Sequence, residues 1–211
     1  MENNQKISLG FTDQLFESGA HVCQIINDDQ ERQDAVLSYL FSGLKAGERA
    51  ACFSDRFQGK PLADSLSGIG MSYDQLCSDG AIVRAATDDV YFKEGRFDPD
   101  RTLKLLEDFY WESIEKKYSN ARVIGEMTAE VEKVPGGERL FEYECRVSML
   151  VKKVPVTAVC QYDANVFDGA TIMDVLKVHP FMIIRGAVVH NPFFVPPEEY
   201  LESHGFSCDC H

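Results

Sequence analysis

Two carboxylates, Glu126 and Asp163, stand where an α/β protein would do its chemistry. Each closes a run of β-branched and apolar residues, Arg122–Glu126 and Val156–Tyr162, and ligands in open parallel sheets bind beyond the carboxyl ends of the strands. Asn27 and Asp28 follow the first strand, Thr128 follows Glu126, and Tyr162 precedes Asp163, so these six residues form the candidate ligand set. In an ATPase of this layout Glu126 would hold magnesium or activate water. That use needs a phosphate cradle of glycine amides, a lysine and a helix N-terminus. Here the first strand-to-helix turn has neither glycine nor lysine, and Asp28, Asp29 and Glu31 crowd the helix start, where they would repel a triphosphate. Nucleotide hydrolysis is therefore not expected. Glu126 and Asp163 are left to orient a small ligand through hydrogen bonds, and the alternative, that Glu126 caps a helix or pairs with Arg122 or Arg84, stays open. Tyr91 and Phe92, in the stretch Asp88–Pro99, join Phe97, Tyr162, Phe193 and Phe194 as aromatic residues able to line a mostly apolar pocket.

Metal ligation has two sources. His21, Cys23, Cys160 and His179 are ligand types that zinc favours, but no CxxC or HxxxH spacing groups them. His21 begins its strand, roughly 20 Å from the end that carries Asn27, and so is not expected to share a site with Glu126. The C-terminal tail brings His204, Cys208, Cys210 and His211 close together; Cys208, Cys210 and His211 are the candidate zinc ligands, although Cys-x-Cys is not the usual spacing. No other cofactor is expected. A nucleophilic cysteine needs a cation or a helix N-terminus beside it, and Cys23, Cys52 and Cys160 lie within apolar strands.

The elements that must position these groups follow from hydrophobic spacing. Val22–Ile26 reads as a strand, and Ala35, Val36, Tyr39, Leu40 and Leu44 recur at helical spacing after it. Further strands are expected at Arg49–Ser54, Ala81–Ala85, Arg122–Glu126, Val156–Tyr162 and Phe181–Val189, the last read as one long strand. Helices are expected at 61–66, 73–77, 99–118, 136–151 and 168–177, with Asp98 before Pro99 as a cap and first-turn proline. Residues 1–20 read as a lead-in with a short helix, Asp88–Pro99 as a long loop, and Asn191–Pro197 as an extended segment exposing two phenylalanines. Strand and helix alternate, and Val156–Tyr162 is apolar enough to be buried on both faces. That pattern predicts a three-layer α/β sandwich with a mostly parallel central sheet.

The chain has 211 residues, 45% of them hydrophobic, enough for one domain over residues 1–200 with residues 201–211 as a Cys/His-containing tail. A net charge of −13 opposes sequence-independent binding to nucleic acid or anionic lipid. No apolar run approaches the roughly 20 residues needed to cross a bilayer, and the N-terminus lacks the features of a secretory signal, so a cytoplasmic protein is expected. Seven cysteines in such a chain read as reduced, mostly buried thiols.

An ordered series of short motifs then carries a resemblance. It comprises His21-Val22-Cys23-Gln24 with its acidic turn, Gly95-Arg96-Phe97-Asp98-Pro99, Gly125-Glu126-Met127-Thr128, Tyr143-Glu144, Cys160-Gln161-Tyr162-Asp163, His179-Pro180, and Asn191-Pro192-Phe193-Phe194 with Pro196-Pro197-Glu198-Glu199. Over about residues 15–200 the chain resembles the MEDS family, the sensory domain of dichloromethane-responsive regulators. The resemblance implies a RecA-like fold that has lost its phosphate-binding loop. It also implies a non-catalytic sensor of small hydrocarbon derivatives that signals to a histidine kinase or transcription regulator. Such domains are commonly fused to their output module, for which this chain has no room, so a separate signalling partner or a homodimer is expected. The Asn191–Pro197 segment is a candidate docking surface. Rival expectations are a metal-dependent hydrolase using Glu126 and a protein-interaction module with a degenerate nucleotide site.

Overall fold

A computed structural model describes residues 5–206. Its start differs from the expected short helix: β1 (Lys6–Ser8) and β2 (Leu15–Glu17) form an antiparallel ribbon whose Ile7, Leu9 and Phe16 dock on the core. The reason is tertiary, since the Ser8 carbonyl accepts a hydrogen bond from Arg122 at 2.9 Å. β3 (His21–Ile26) then feeds α1 (Asp29–Lys45), and the Asp28 side chain caps the helix by accepting from the Glu31 N–H at 2.9 Å. β4 (Arg49–Phe53), α2 (Gly59–Ser67), α3 (Tyr73–Ser78) and β5 (Ile82–Ala85) follow close to the expected places.

The stretch expected to be a loop holds α4 (Thr87–Val90) and a 3-10 turn at Lys93–Gly95. Asp98 caps α5 (Pro99–Glu115) through the backbone N–H groups of Asp100 and Arg101, as expected of an Asp-Pro start. β6 (Ala121–Met127), α6 (Leu140–Lys153), β7 (Thr157–Asp163) and α7 (Gly169–Val178) complete the repeat. The final apolar run is not one strand. Arg185 and Gly186, both at positive φ, turn it back on itself as β8 (Phe181–Ile184) and β9 (Ala187–His190). The chain continues into α8 (Pro197–Ser203), whose buried Tyr200 and Leu201 pack with Cys145 and Val178, so the packed body extends past residue 200. Among the described residues no helix is long and apolar enough to cross a membrane.

The seven-stranded sheet has the order β5-β4-β6-β7-β3-β8-β9, parallel except at the β8–β9 hairpin. Successive side chains on a strand alternate between faces, which gives the sheet two separate cores. Val22, Ile124 and Val159 pack against Val36, Tyr39 and Leu40 of α1. Cys23, Val123, Ala158 and Tyr162 pack on the other side against Leu106 and Phe109 of α5 and Tyr143 and Val147 of α6. Burying each such large apolar side chain contributes about 1.5–3 kcal/mol. Arg122 ties the α1 side together: fully buried, it pairs with buried Glu48 and donates to the Tyr39 carbonyl and the Ser42 hydroxyl, both at 2.8 Å. Gly43 sits inside α1 because of it, since an ideal Cβ there would lie 2.3 Å from Arg122 Nε.

Candidate functional site

The strand ends that the sequence marks out carry a closed network of charges. Arg32, in the first turns of α1 and 3% exposed, donates from Nη2 to Asp163 Oδ2 at 2.8 Å and places Nε 3.5 Å from Glu126 Oε1, while its Nη1 pairs with Asp29. Arg56 lies across the same carboxylates from outside, 3.4 Å from Asp29, 3.6 Å from Glu126 and 3.7 Å from Asp163, and is 49% exposed at its side chain. Ser54 donates its hydroxyl to Glu126 Oε2 at 2.8 Å. Two guanidinium groups thus stand against three carboxylates, Glu126, Asp163 and Asp29. The partners open to Glu126 in the sequence lie elsewhere. Arg122 is paired with Glu48, and Arg84 stacks on Phe57 from β5.

The other strand-end candidates have local duties. Asp28 is the α1 cap. Asn27 is exposed, its carbonyl accepting from Asn165 Nδ2 at 3.1 Å, and the Thr128 carbonyl accepts from the Val131 N–H at 3.1 Å. Beside Arg32 and Arg56 a cleft of about 50 Å³ opens between α1 and the segment after β4, with Gln33, Leu37, Ser54 and Phe57 in its walls.

Tyr162, Tyr91 and Phe92 face the opposite side of the sheet and do not join Glu126 and Asp163 in one pocket. Tyr91 and Phe92 are buried in the core under α4, with Tyr91 edge-on to Phe53. The Tyr91 hydroxyl lies over Gly125, where an ideal Cβ would be 2.1 Å away, so only glycine leaves room for it. Tyr162 donates its hydroxyl to Glu144 Oε1, and Glu144, 1% exposed on α6, is the centre of a second polar cluster. His21 Nε2 lies 3.2 Å and His179 Nε2 3.4 Å from Glu144 Oε2. Cys160 Sγ lies 3.4 Å from His21 Nε2 and 3.7 Å from Glu144 Oε2.

Electrostatics here follow from the loss of water. Burial, and then the charge of His179, lower the His21 pKa to about 4, which keeps its imidazole neutral at neutral pH. Burial also pushes Cys160 well up and Cys23 up to about 12, with the Glu144 charge adding to both. Burial pushes Glu144 up as well, but its two histidine partners outweigh that and hold its carboxyl below the ordinary carboxylate range.

The fold explains how distant residues meet. His21 opens β3, Cys160 lies on β7 in register with Cys23, His179 follows the end of α7, and Glu144 projects from α6. The sequence identifies His21, Cys23, Cys160 and His179 by type alone. Glu144 escapes it, although the signal is present: Leu140, Glu144, Val147 and Val151 recur at helical spacing, which puts a carboxylate on the buried stripe of α6. Candidate ligands Cys208, Cys210 and His211 lie outside the described residues.

A family model described as MEDS, the MEthanogen/methylotroph, DcmR Sensory domain, matches residues 20–180. The chain belongs to the MEDS family. Among curated proteins, the transcriptional repressor DcmR of Methylorubrum extorquens is 25% identical to it over 162 residues, 75% of this chain and 57% of the repressor. The chain thus spans a little over half the length of that relative. Among solved structures, the KaiC-like protein PH0186 of Pyrococcus horikoshii OT3 superposes with a TM-score of 0.55 at 11% identity, covering 84% of this chain and 79% of that one. The flagellar accessory protein FlaH of Methanocaldococcus jannaschii gives 0.52 at 7% identity, covering 81% and 75%. At such identities the likeness speaks for fold alone, and it is the RecA-like, mostly parallel three-layer sandwich expected from the sequence. Membership of the MEDS family gives the chain a regulatory, sensory role.

Proposed function

We propose that this MEDS domain is a non-catalytic sensor that binds a small organic molecule of the hydrocarbon-derivative class and passes its bound state to a separate cytoplasmic histidine kinase or transcription regulator. The observation that carries the non-catalytic part is the network at the strand ends. A nucleotide with magnesium would need free backbone amides, a free cation and a free carboxylate there, whereas Arg32 and Arg56 are engaged with Glu126, Asp163 and Asp29. Opening that network to admit a triphosphate would strand buried carboxylates, at about 3–5 kcal/mol.

The adjoining cleft supports the ligand class. A cleft of about 50 Å³ with mixed apolar and polar walls suits a small compound of a few heavy atoms. Leu37 and Phe57 supply apolar walls, and Ser54, Gln33 and Arg56 supply polar atoms to orient the guest. Arg56 gives the site an output. Half-exposed and held at 3.4–3.7 Å, it is the looser of the two guanidinium groups and the one a guest can draw away from Asp163 and Glu126. The name of the related repressor supports a link to transcriptional control.

Titration with dichloromethane, methanol and methylamine, followed by amide chemical shifts, tests this. Saturable shifts confined to α1 and the segment after β4 are expected for at least one compound, and lost in Leu37→Trp, which fills the cleft. ATP hydrolysis that falls in Glu126→Gln would replace the sensor with an enzyme.

A further inference from the structure

The geometry points to a resident zinc-class metal centre under α6, formed by His21 Nε2, His179 Nε2, Glu144 Oε2 and Cys160 Sγ. It goes beyond the sensory reading, uses none of the strand-end residues, and departs from the expectation that the domain carries no cofactor.

Three observations converge on it. The first is distance. A tetrahedral zinc site with bonds of about 2.0–2.3 Å sets nitrogen and oxygen donors about 3.3 Å apart and each about 3.6 Å from sulfur. Four of the six donor pairs already have such separations: 3.2 Å and 3.4 Å from Glu144 to the two histidines, and 3.4 Å and 3.7 Å from Cys160 to His21 and Glu144. The remaining two, from His179 to His21 and to Cys160, lie within 4.8 Å.

The second is the direction of the lone pairs. His179 Nδ1 is 2.8 Å from the Val175 carbonyl, which only accepts, so Nδ1 carries the proton and the Nε2 of a neutral ring presents a lone pair. His21 Nδ1 is 2.8 Å from Ser148 Oγ, and that hydroxyl donates to the Val178 carbonyl at 3.2 Å, so Nδ1 of His21 is again the donor. With both rings neutral, their Nε2 lone pairs face a carboxylate oxygen that is itself an acceptor. His179 Nε2, fully buried, has no hydrogen-bond partner. Two imidazoles fixed through Nδ1 to a carbonyl or hydroxyl, and a carboxylate whose other oxygen accepts from Tyr162, are what metal ligands need from their surroundings.

The third is charge. Among the described residues the ion-pair partners of buried Glu144 are two histidines, with no lysine or arginine, in contrast to the arginines set against Glu126. A divalent cation would offset the charge of this buried carboxylate. Two nitrogens, one oxygen and one sulfur form a borderline-soft set that suits zinc. On binding, the Cys160 thiol loses its proton to solvent and coordinates as thiolate.

Cobalt(II), a spectroscopic stand-in for zinc, tests the site in the full chain after chelator treatment. One cobalt per chain is expected, with the visible bands of a tetrahedral ion and a thiolate charge-transfer band in the near ultraviolet. Cys160→Ser should bind cobalt without the charge-transfer band, and His179→Gln should bind it at least about 100-fold more weakly, each with a wild-type circular dichroism spectrum. Cys208→Ser/Cys210→Ser/His211→Ala should change neither stoichiometry nor bands. No stoichiometric binding overturns the proposal. So does a charge-transfer band that survives Cys160→Ser and is lost in the tail variant, which would place the metal on the tail.

Discussion

Glu126 and Glu144 are both buried carboxylates within one domain, yet they sit in opposite electrostatic settings on opposite faces of the sheet. On the α1 face Glu126 and Asp163 meet Arg32 and Arg56, and a serine hydroxyl completes the shell of Glu126. On the α6 face Glu144 meets two histidines, a thiol and a tyrosine, none of them a permanent cation. The difference separates carboxylates paired with permanent cations from a carboxylate that has none. The strand ends are thus closed to a nucleotide while leaving a small cleft beside Arg56, and soft donor atoms gather on the side of the sheet that packs on α6.

The largest effect should come from breaking the balanced side. Arg32→Ala leaves Glu126 and Asp163 buried with only the outlying Arg56, and should cost about 3–5 kcal/mol in urea unfolding. Arg32→Met with Glu126→Gln and Asp163→Asn removes the charges together and should recover most of that loss. A cost below about 1 kcal/mol for Arg32→Ala would mean that the network is not what closes this end.

Acid should then expose the other side. His21 has its pKa lowered from 6.5 to about 4 in the fold, so below pH 6.5 the unfolded chain takes up a proton that the folded chain refuses. Stability therefore falls as pH falls, by up to about 1.4 kcal/mol per unit, or about 1.6 kcal/mol between pH 6.5 and 5. The depressed Glu144 adds loss in the same direction only nearer its ordinary range. Urea midpoints of chelator-treated protein at the two pH values measure this, and His21→Gln should remove most of the slope.

The smallest effect sharpens the contrast most. In metal-free protein Glu144→Gln keeps an acceptor for Tyr162 and offers an N–H to the histidine lone pairs, so it should cost less than about 1 kcal/mol. A loss as large as that of Arg32→Ala would show Glu144 to be as well compensated as Glu126.

How much of this the sequence discloses depends on how local the cause is. The alternation of strands and helices, the Asp98 cap and the parallel core strand β7 follow from spacing within each segment. The β1–β2 ribbon does not, because three-residue strands are held by a hydrogen bond from Arg122 more than a hundred residues away. The β8–β9 turn is written in Arg185-Gly186 but is masked by apolar residues on both sides. At the site, the residue types were legible and their grouping was not. His21 and Cys160 are joined by the parallel register of β3 on β7, which no local spacing encodes. Glu126 and Asp163 stand at strand ends as expected, but their engagement depends on Arg32 and Arg56, whose long side chains reach them from α1 and from the segment after β4.

One face is closed to nucleotide and the other receptive to metal, and a single competition measures both. Chelator-treated full-length protein is offered equimolar zinc together with magnesium and ATP, and its native mass is recorded beside that of Cys160→Ser/His179→Gln. The predicted result is one zinc per wild-type chain, none retained by the variant, and no nucleotide on either. A nucleotide-magnesium adduct without zinc on the wild-type chain would contradict it, placing the functional site back at Glu126 and Asp163.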